Sequence, residues 1–108
     1  MAEETPVDQL EPLLLDPTRL RLVATLAAAG EVEFGFLRDR VGLTDSALSK
    51  QLRTLADAEL VATRRNRTGA RRRTWVHLTS RGRTGLAQHA RALREIAGAA
   101  DPSDHADG

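Results

Sequence analysis

The sequence predicts a mainly helical α+β domain that closes on a β-hairpin and one further helix. Three observations carry this. Apolar residues recur at helical spacing in stretches near 17–29, 34–41, 45–58 and 80–97. Two strand-like runs, 60–67 and 71–78, flank a turn containing Gly69. Only about three residues, with Gly42 among them, separate the two middle helices. The 108 residues are the length of one domain. Its core must come from 16 Leu and 17 Ala, because the chain holds two Phe, one Trp and no Tyr. Such a core is thin, and a partner subunit is a natural supplement.

The elements follow in order. Residues 1–7 read as a disordered lead. Leu10, Leu13, Leu14 and Leu15 make a short apolar helix over 8–15. Asp16 caps the next helix and Pro17 suits its first position. That helix carries Leu20, Val23 and Leu26 and stops at Gly30. Glu31 to Phe34 alternates as a very short strand. Leu37 and Val41 mark a third helix, closed by Gly42, and Thr44 caps a fourth with Leu48, Leu52 and Leu55 as its buried stripe. Asn66 to Ala70 has hairpin turn chemistry, and Thr79 caps the last helix. The segment 98–108 is small and acidic and reads as a disordered tail, leaving 8–97 as the ordered domain. Helix, helix, short strand, helix-turn-helix, hairpin, helix is the layout of a winged helix domain.

The formal net charge of +1 conceals a strong asymmetry. Residues 1–16 carry five carboxylates and residues 101–108 carry three. The 84 residues between them hold all 16 cations against seven acids, a net +9. Residues 62–85 hold eight Arg and no acid. A stretch of one sign points to a polyanion partner, the plain alternative being a solubilising surface.

With its leucines turned inward, the fourth helix presents Ser46, Ser49, Lys50 and Arg53 on the opposite face, with Thr44 at its start. Short hydroxyls and cations suit base edges in a major groove. The alternative is an ordinary solvated face. In the hairpin, Arg64, Arg65, Arg67, Arg71, Arg72 and Arg73 crowd both strands. Like charges across a ladder repel, and phosphates would relieve them; Arg at a hairpin tip also suits a narrow minor groove. Some of the six must point away, because a strand alternates its faces. The last helix shows a narrow stripe of Leu86, Ala90, Leu93 and Ala97. Its expected cover is the same helix of a second copy, joined by Leu10, Leu13 and Leu14, the alternative being packing on the domain's own core.

The segment 14–61, the Arg-rich hairpin and VHLTSRGR at 76–83 resemble the single-domain winged helix-turn-helix transcriptional regulators, closest to the MarR/ArsR-like group. Three pieces carry the resemblance: Asp16-Pro17-Thr18-Arg19, then Leu43-Thr44 with Ser46, Ser49-Lys50-Gln51-Leu52 and Leu55, then Leu78-Thr79 with Gly82-Arg83. It implies that Ser46, Ser49, Lys50 and Arg53 face DNA and that Arg67, Arg71 and Arg72 belong to the wing. It further implies a C-terminal dimerisation helix and a homodimer on an inverted repeat of double-stranded DNA, usually as a repressor. The cysteine-containing metal box of the ArsR-type sensors is absent, and the helices that bracket a ligand pocket in MarR-type proteins are short here.

The chain has no cysteine, so disulfides, thiolate metal sites and a cysteine nucleophile are excluded. His77, His89 and His105 are scattered and read as a strand residue, a helix-surface residue and a tail residue, not as metal ligands. No nucleophile or phosphate-loop context appears, so no catalysis and no cofactor are expected. A small-molecule effector finds no support in the residues. No apolar run reaches the roughly 20 residues of a membrane span, and the acidic start lacks the layout of a signal peptide. The expectation is a cytoplasmic, sequence-specific DNA-binding regulator. Two alternatives stand beside it: a winged helix used for protein interaction or dimerisation, and a nonspecific architectural DNA binder.

Overall fold

Local capping chemistry sets most of the helix boundaries. In the computed structural model, which describes residues 5–100, the Asp16 carboxylate accepts the Arg19 N–H at 3.0 Å and Pro17 takes the first helical position. Helix α1 then runs Pro17–Ala29 and buries Leu22, Val23 and Leu26. Strand β1 is Val32–Glu33. The Glu33 carboxylate accepts the Phe36 N–H at 3.3 Å and starts helix α2, Phe34–Val41. Thr44 accepts the Ala47 N–H at 3.1 Å and starts helix α3, Asp45–Asp57. Leu48, Leu52 and Leu55 are its buried face, as the spacing predicts.

Helix α3 ends without a glycine. Glu59 takes the left-handed conformation, φ +62°. Its N–H donates to the Ala56 carbonyl, and the Leu60 N–H donates to the Leu55 carbonyl, each at 2.9 Å. This pair of bonds is a Schellman ending, and Leu55 and Leu60 are both buried beside it.

Strands β2, Val61–Thr68, and β3, Arg71–Leu78, form an antiparallel hairpin. Gly69 has φ +62° while Ala70 stays at negative φ, which fits the two-residue turn with glycine first. The sheet order is β1–β3–β2, with Val32 opposite Val76 and Val61 opposite Leu78. These four side chains close one end of a core built with Leu14, Leu22, Leu26, Leu37, Leu48 and Leu55. Helix α4 runs Ser80–Ala100.

The junction between α3, the hairpin and α4 is unusually tight. Thr79 donates its N–H to the Leu60 carbonyl at 3.1 Å and its hydroxyl to the Glu59 carbonyl at 2.6 Å. The same hydroxyl accepts the Gly82 N–H at 2.9 Å. A Cβ on Gly82 would overlap the Leu60 carbonyl oxygen. Gly82 is therefore the residue that lets α4 approach the backbone at the end of α3.

The ends differ from expectation. Instead of one helix over 8–15 there are two short 3-10 helices, Val7–Gln9 and Pro12–Leu15. Pro12 removes a donor and holds Glu11 extended, φ −87° and ψ 113°, which interrupts any longer helix. Residue 7, placed in the lead, already belongs to the first of these; residues 1–4 lie outside the described part. Helix α4 continues through 98–100, placed in the tail; residues 101–108 lie outside the described part.

His89 is buried rather than on a helix surface. It is 1% exposed, and its Nδ1 accepts the Glu11 N–H at 3.0 Å. That bond docks the N-terminal segment on α4, so the inward face of α4 runs through Gly82, His89 and Ala92. The expected stripe lies to one side of it. Leu86 packs against the core, Ala90 is half-buried, and Leu93 and Ala97 are exposed. Leu14 is not on an outer face at all: it is 1% exposed inside the core.

Two substitutions test this reading of the junction. Gly82→Ala forces α4 off the Leu60 carbonyl and is expected to lower stability by about 1–3 kcal/mol. Glu59→Gly relieves the left-handed residue and is expected to raise stability by about 0.5–1 kcal/mol, since its exposed pairing with Arg81 contributes little. Urea unfolding midpoints at constant slope measure both.

Candidate nucleic-acid interface

The outer face of α3 begins with short side chains. Thr44 is occupied as the cap, with its hydroxyl 3.4 Å from that of Ser46. Ser46, Ser49, Lys50 and Arg53 are exposed, one face of a helix whose other face is the leucine stripe. Arg38 steadies this helix from α2 by pairing with Asp45 at 2.8 Å and with Asp39 at 2.9 Å. Those two carboxylates hold the Arg38 guanidinium in its charged form.

The strand register divides the wing arginines between two faces. Val61, Val76 and Leu78 are buried and define the inner face. Counting by twos along each strand, Thr63, Arg65 and Arg67 follow Val61, and Thr74 and Arg72 follow Val76. Arg64, Arg71 and Arg73 lie on the outer face with Trp75 and His77. Only one Arg–Arg pair is directly opposed, Arg67 with Arg72. The expected crowding of like charges is thus much reduced: Arg65 faces Thr74 and Arg73 faces Asn66.

The inner face and α3 meet in an open cleft. Ser49 and Arg53 stand on the helix side, with Thr63, Arg65 and Thr74 on the wing side. Phe34, Leu52 and Ala56 make its apolar floor. Thr63 and Thr74 were not among the sequence-derived candidates. Alternation on the two strands marks them, since they continue the buried Val61 and Val76 positions.

Arg64 is committed elsewhere. Its guanidinium donates to the Glu31 carboxylate at 2.8 and 3.3 Å and lies 5.8 Å from the centre of the Trp75 ring. His77 Nδ1 stands 3.7 Å from the same carboxylate. The Arg64 hydrogen bond holds the Glu31 carboxyl below the usual carboxylate range. Arg81, beside Glu59, is compensated in a similar way at 3.3 Å. Arg65, Arg67, Arg71, Arg72 and Arg73 have no carboxylate partner among the described residues.

The described residues contain no group of three or more His, Cys, Asp or Glu that could hold a metal ion. No described helix is long and apolar enough to cross a membrane.

The winged helix DNA-binding domain family matches residues 18–97, most of the chain. The chain belongs to that family. It is a family of DNA-binding domains. No curated protein matches the chain in sequence. Among solved structures, the winged helix domain is similar to a transcriptional regulator homologue from Pyrococcus horikoshii OT3, with TM-score 0.78 and 24% identity over 84% of this chain and 90% of that one. It is similar to a MarR family transcriptional regulator from Silicibacter pomeroyi DSS, with TM-score 0.63 and 30% identity over 86% and 64% of the two chains. A third is the M. tuberculosis transcriptional regulator MOSR, solved in complex with DNA, with TM-score 0.66 and 20% identity over 85% and 65%. The winged helix architecture with a hairpin wing, expected from element order and resemblance, is therefore the fold of this chain, and a MarR family regulator is among the structures similar to it.

The Glu31 contact makes a measurable prediction. Its folded value is depressed, so its stabilising effect is present above the unfolded carboxylate value and is lost as pH falls through the folded one. A carboxyl NMR titration should find Glu31 ionising below the ordinary range. In Arg64→Met it should return toward the ordinary value; an unchanged midpoint would show that Arg64 is not the cause.

Proposed function

We propose that the chain is a sequence-specific transcriptional regulator, acting as a homodimer on an inverted repeat and repressing transcription. One observation carries the proposal. The short-residue face of α3 (Ser46, Ser49, Lys50 and Arg53) adjoins the wing face that bears Arg65, Arg67 and Arg72, across a shared cleft. In this reading α3 enters the major groove with the serines and Lys50 at base edges. Arg65, Arg67 and Arg72 hold the phosphate backbone or reach into the adjacent minor groove. Arg71 and Arg73 add charge from the outer face, and Arg64 adds least, since Glu31 neutralises it. The similarity in fold to MOSR, whose structure was solved in complex with DNA, supports DNA as the partner.

The homodimer rests on where apolar surface is left open. Val7, Leu15, Leu93 and Ile96 are four of the five large hydrophobic residues exposed among those described. All four belong to the N-terminal segment or the far half of α4. Leu10, Leu13, Ala90 and Ala97 extend that surface, and Leu86 borders it. Two copies joined there would set their α3 helices in successive major grooves, about 34 Å apart. The cytoplasm, where the DNA is, would be its place of work. No effector ligand enters the proposal.

Selection from a random duplex pool at moderate salt tests it. An enriched inverted repeat with half-sites about one helical turn apart is the expected result. Retention without enrichment would indicate architectural binding, and no retention would indicate a protein-interaction module. On the selected site, Ser49→Ala and Lys50→Ala should each reduce discrimination between sequences by roughly 1–3 kcal/mol. Arg67→Ala and Arg72→Ala should weaken binding to all sequences and each lower the salt slope by about 1. Arg64→Ala should leave that slope nearly unchanged.

A further inference from the structure

The fifth exposed large hydrophobic residue lies elsewhere. Phe36, on α2, is 59% exposed. It stands between two shallow hollows that share Phe36 and Ala29 as their common ridge. The first hollow, ≈ 510 Å³, is floored by alanines of α1 and edged by Arg21 and Arg40. The second, ≈ 320 Å³, is floored by Val32 and Trp75 and edged by Glu31 and Glu33. Arg21 reaches only the Arg40 carbonyl oxygen, at 3.5 Å, and Arg40 has no carboxylate partner among the described residues. Glu33 caps α2 but meets no cation there, while Glu31 is held by Arg64. The patch thus has an apolar centre, a cationic side and an anionic side.

We propose that this patch binds a second copy of the chain, Phe36 against Phe36, about a two-fold axis. The argument is complementarity. A surface that places positive charge on one side of an apolar centre and negative charge on the other is its own complement under two-fold rotation. Arg21 and Arg40 of one copy then face Glu33 of the other, the carboxylate on that side that no described cation holds, with the Arg64-paired Glu31 beside it. The alanines Ala24, Ala28 and Ala29 leave room for the partner's ring in the hollow beside Phe36. A polyanion is a poor occupant, because one side of the rim carries Glu33 and the paired Glu31 and the centre is aromatic. The contact is separate from the α4 surface and independent of the DNA reading. If the α4 dimer of the proposed function also forms, the two interfaces together would link dimers into longer assemblies.

Sedimentation velocity of the full chain without DNA, in a concentration series reaching the millimolar range, tests the proposal. Two association steps are expected. Phe36→Asp should remove the second step or shift its midpoint upward by about thirtyfold or more, leaving the first. Arg40→Glu should weaken the second step, and raised salt should do the same. Leu93→Asp should remove the first step and leave the second. Because Phe36 is exposed, Phe36→Asp should keep the native melting curve. The proposal fails if no association step is lost or shifted in Phe36→Asp, or if Leu93→Asp alone abolishes all association; a single step that Phe36→Asp removes and Leu93→Asp leaves would overturn the α4 dimer and keep this contact.

Discussion

The Leu60 carbonyl is the point on which the other placements depend. It accepts the Thr79 N–H and lies against the bare backbone of Gly82. Three elements are therefore fixed at one peptide: the end of α3, the root of the hairpin and the start of α4. Their shared packing in the core is registered by this contact. The hairpin is held to the domain by this root, by β1 and by Val61, Val76 and Leu78 in the core, while its tip extends beyond them. Were α4 held further out, the Thr79 hydroxyl could not both donate to Glu59 and accept from Gly82. The left-handed Glu59 is the counterpart of that closeness. It turns the chain sharply enough for Leu60 to reach the core one residue before the strand begins.

Much of this was legible in the sequence where a local chemical rule decides the outcome. Asp16 with Pro17, Thr44, and Thr79 are caps, and α1, α3 and α4 begin where those residues place them. The leucine stripe of α3 needed only helical spacing. What stayed hidden depends on contacts distant in sequence. A histidine on a predicted amphipathic helix reads as solvated; its burial requires the Glu11 N–H, 78 positions away, to satisfy Nδ1. The division of the wing arginines was foreseeable in kind but not in detail. Alternation fixes two faces, yet which face looks inward depends on the register between Val61 and Leu78. Thr79 and Gly82, which carried a family resemblance, acquire a physical reason only once Leu60 is seen beside them.

The charge asymmetry of the sequence is resolved by pairing. Of eight arginines between 62 and 85, Arg64 and Arg81 are matched by Glu31 and Glu59, neither of which lies in that stretch. Arg38 is matched by Asp39 and Asp45. Acids outside the hairpin thus neutralise cations at the base of the wing and behind α3, while the arginines toward the tip and on the cleft stay open. A uniform basic surface would bind a polyanion in many orientations. A basic tip and cleft beside a nearly neutral base favour one, because displaced counterions are gained only when the wing is seated. The polar face of α3 is then held against whatever the wing has docked upon.

The same economy of contacts links α3 to the surface proposed for dimerisation. His89 on α4 holds the Glu11 backbone. Two residues later, the Leu13 carbonyl accepts from Arg19 of α1 at 2.7 Å. The Arg19 guanidinium also donates to Gln51 of α3 at 3.2 Å. The path from α4 to α3 therefore runs through three side-chain hydrogen bonds and a buried leucine, Leu14, with no long flexible connection in it. In a dimer joined by the N-terminal segment and α4, the separation of the two α3 helices would be set by this path. A half-site spacing of about one helical turn tolerates little error, since an ångström-scale shift at the hinge grows along the length of the domain. Short bonds from the proposed interface to α3 are what such a ruler requires, and Arg19 is the residue that joins the N-terminal segment to α3.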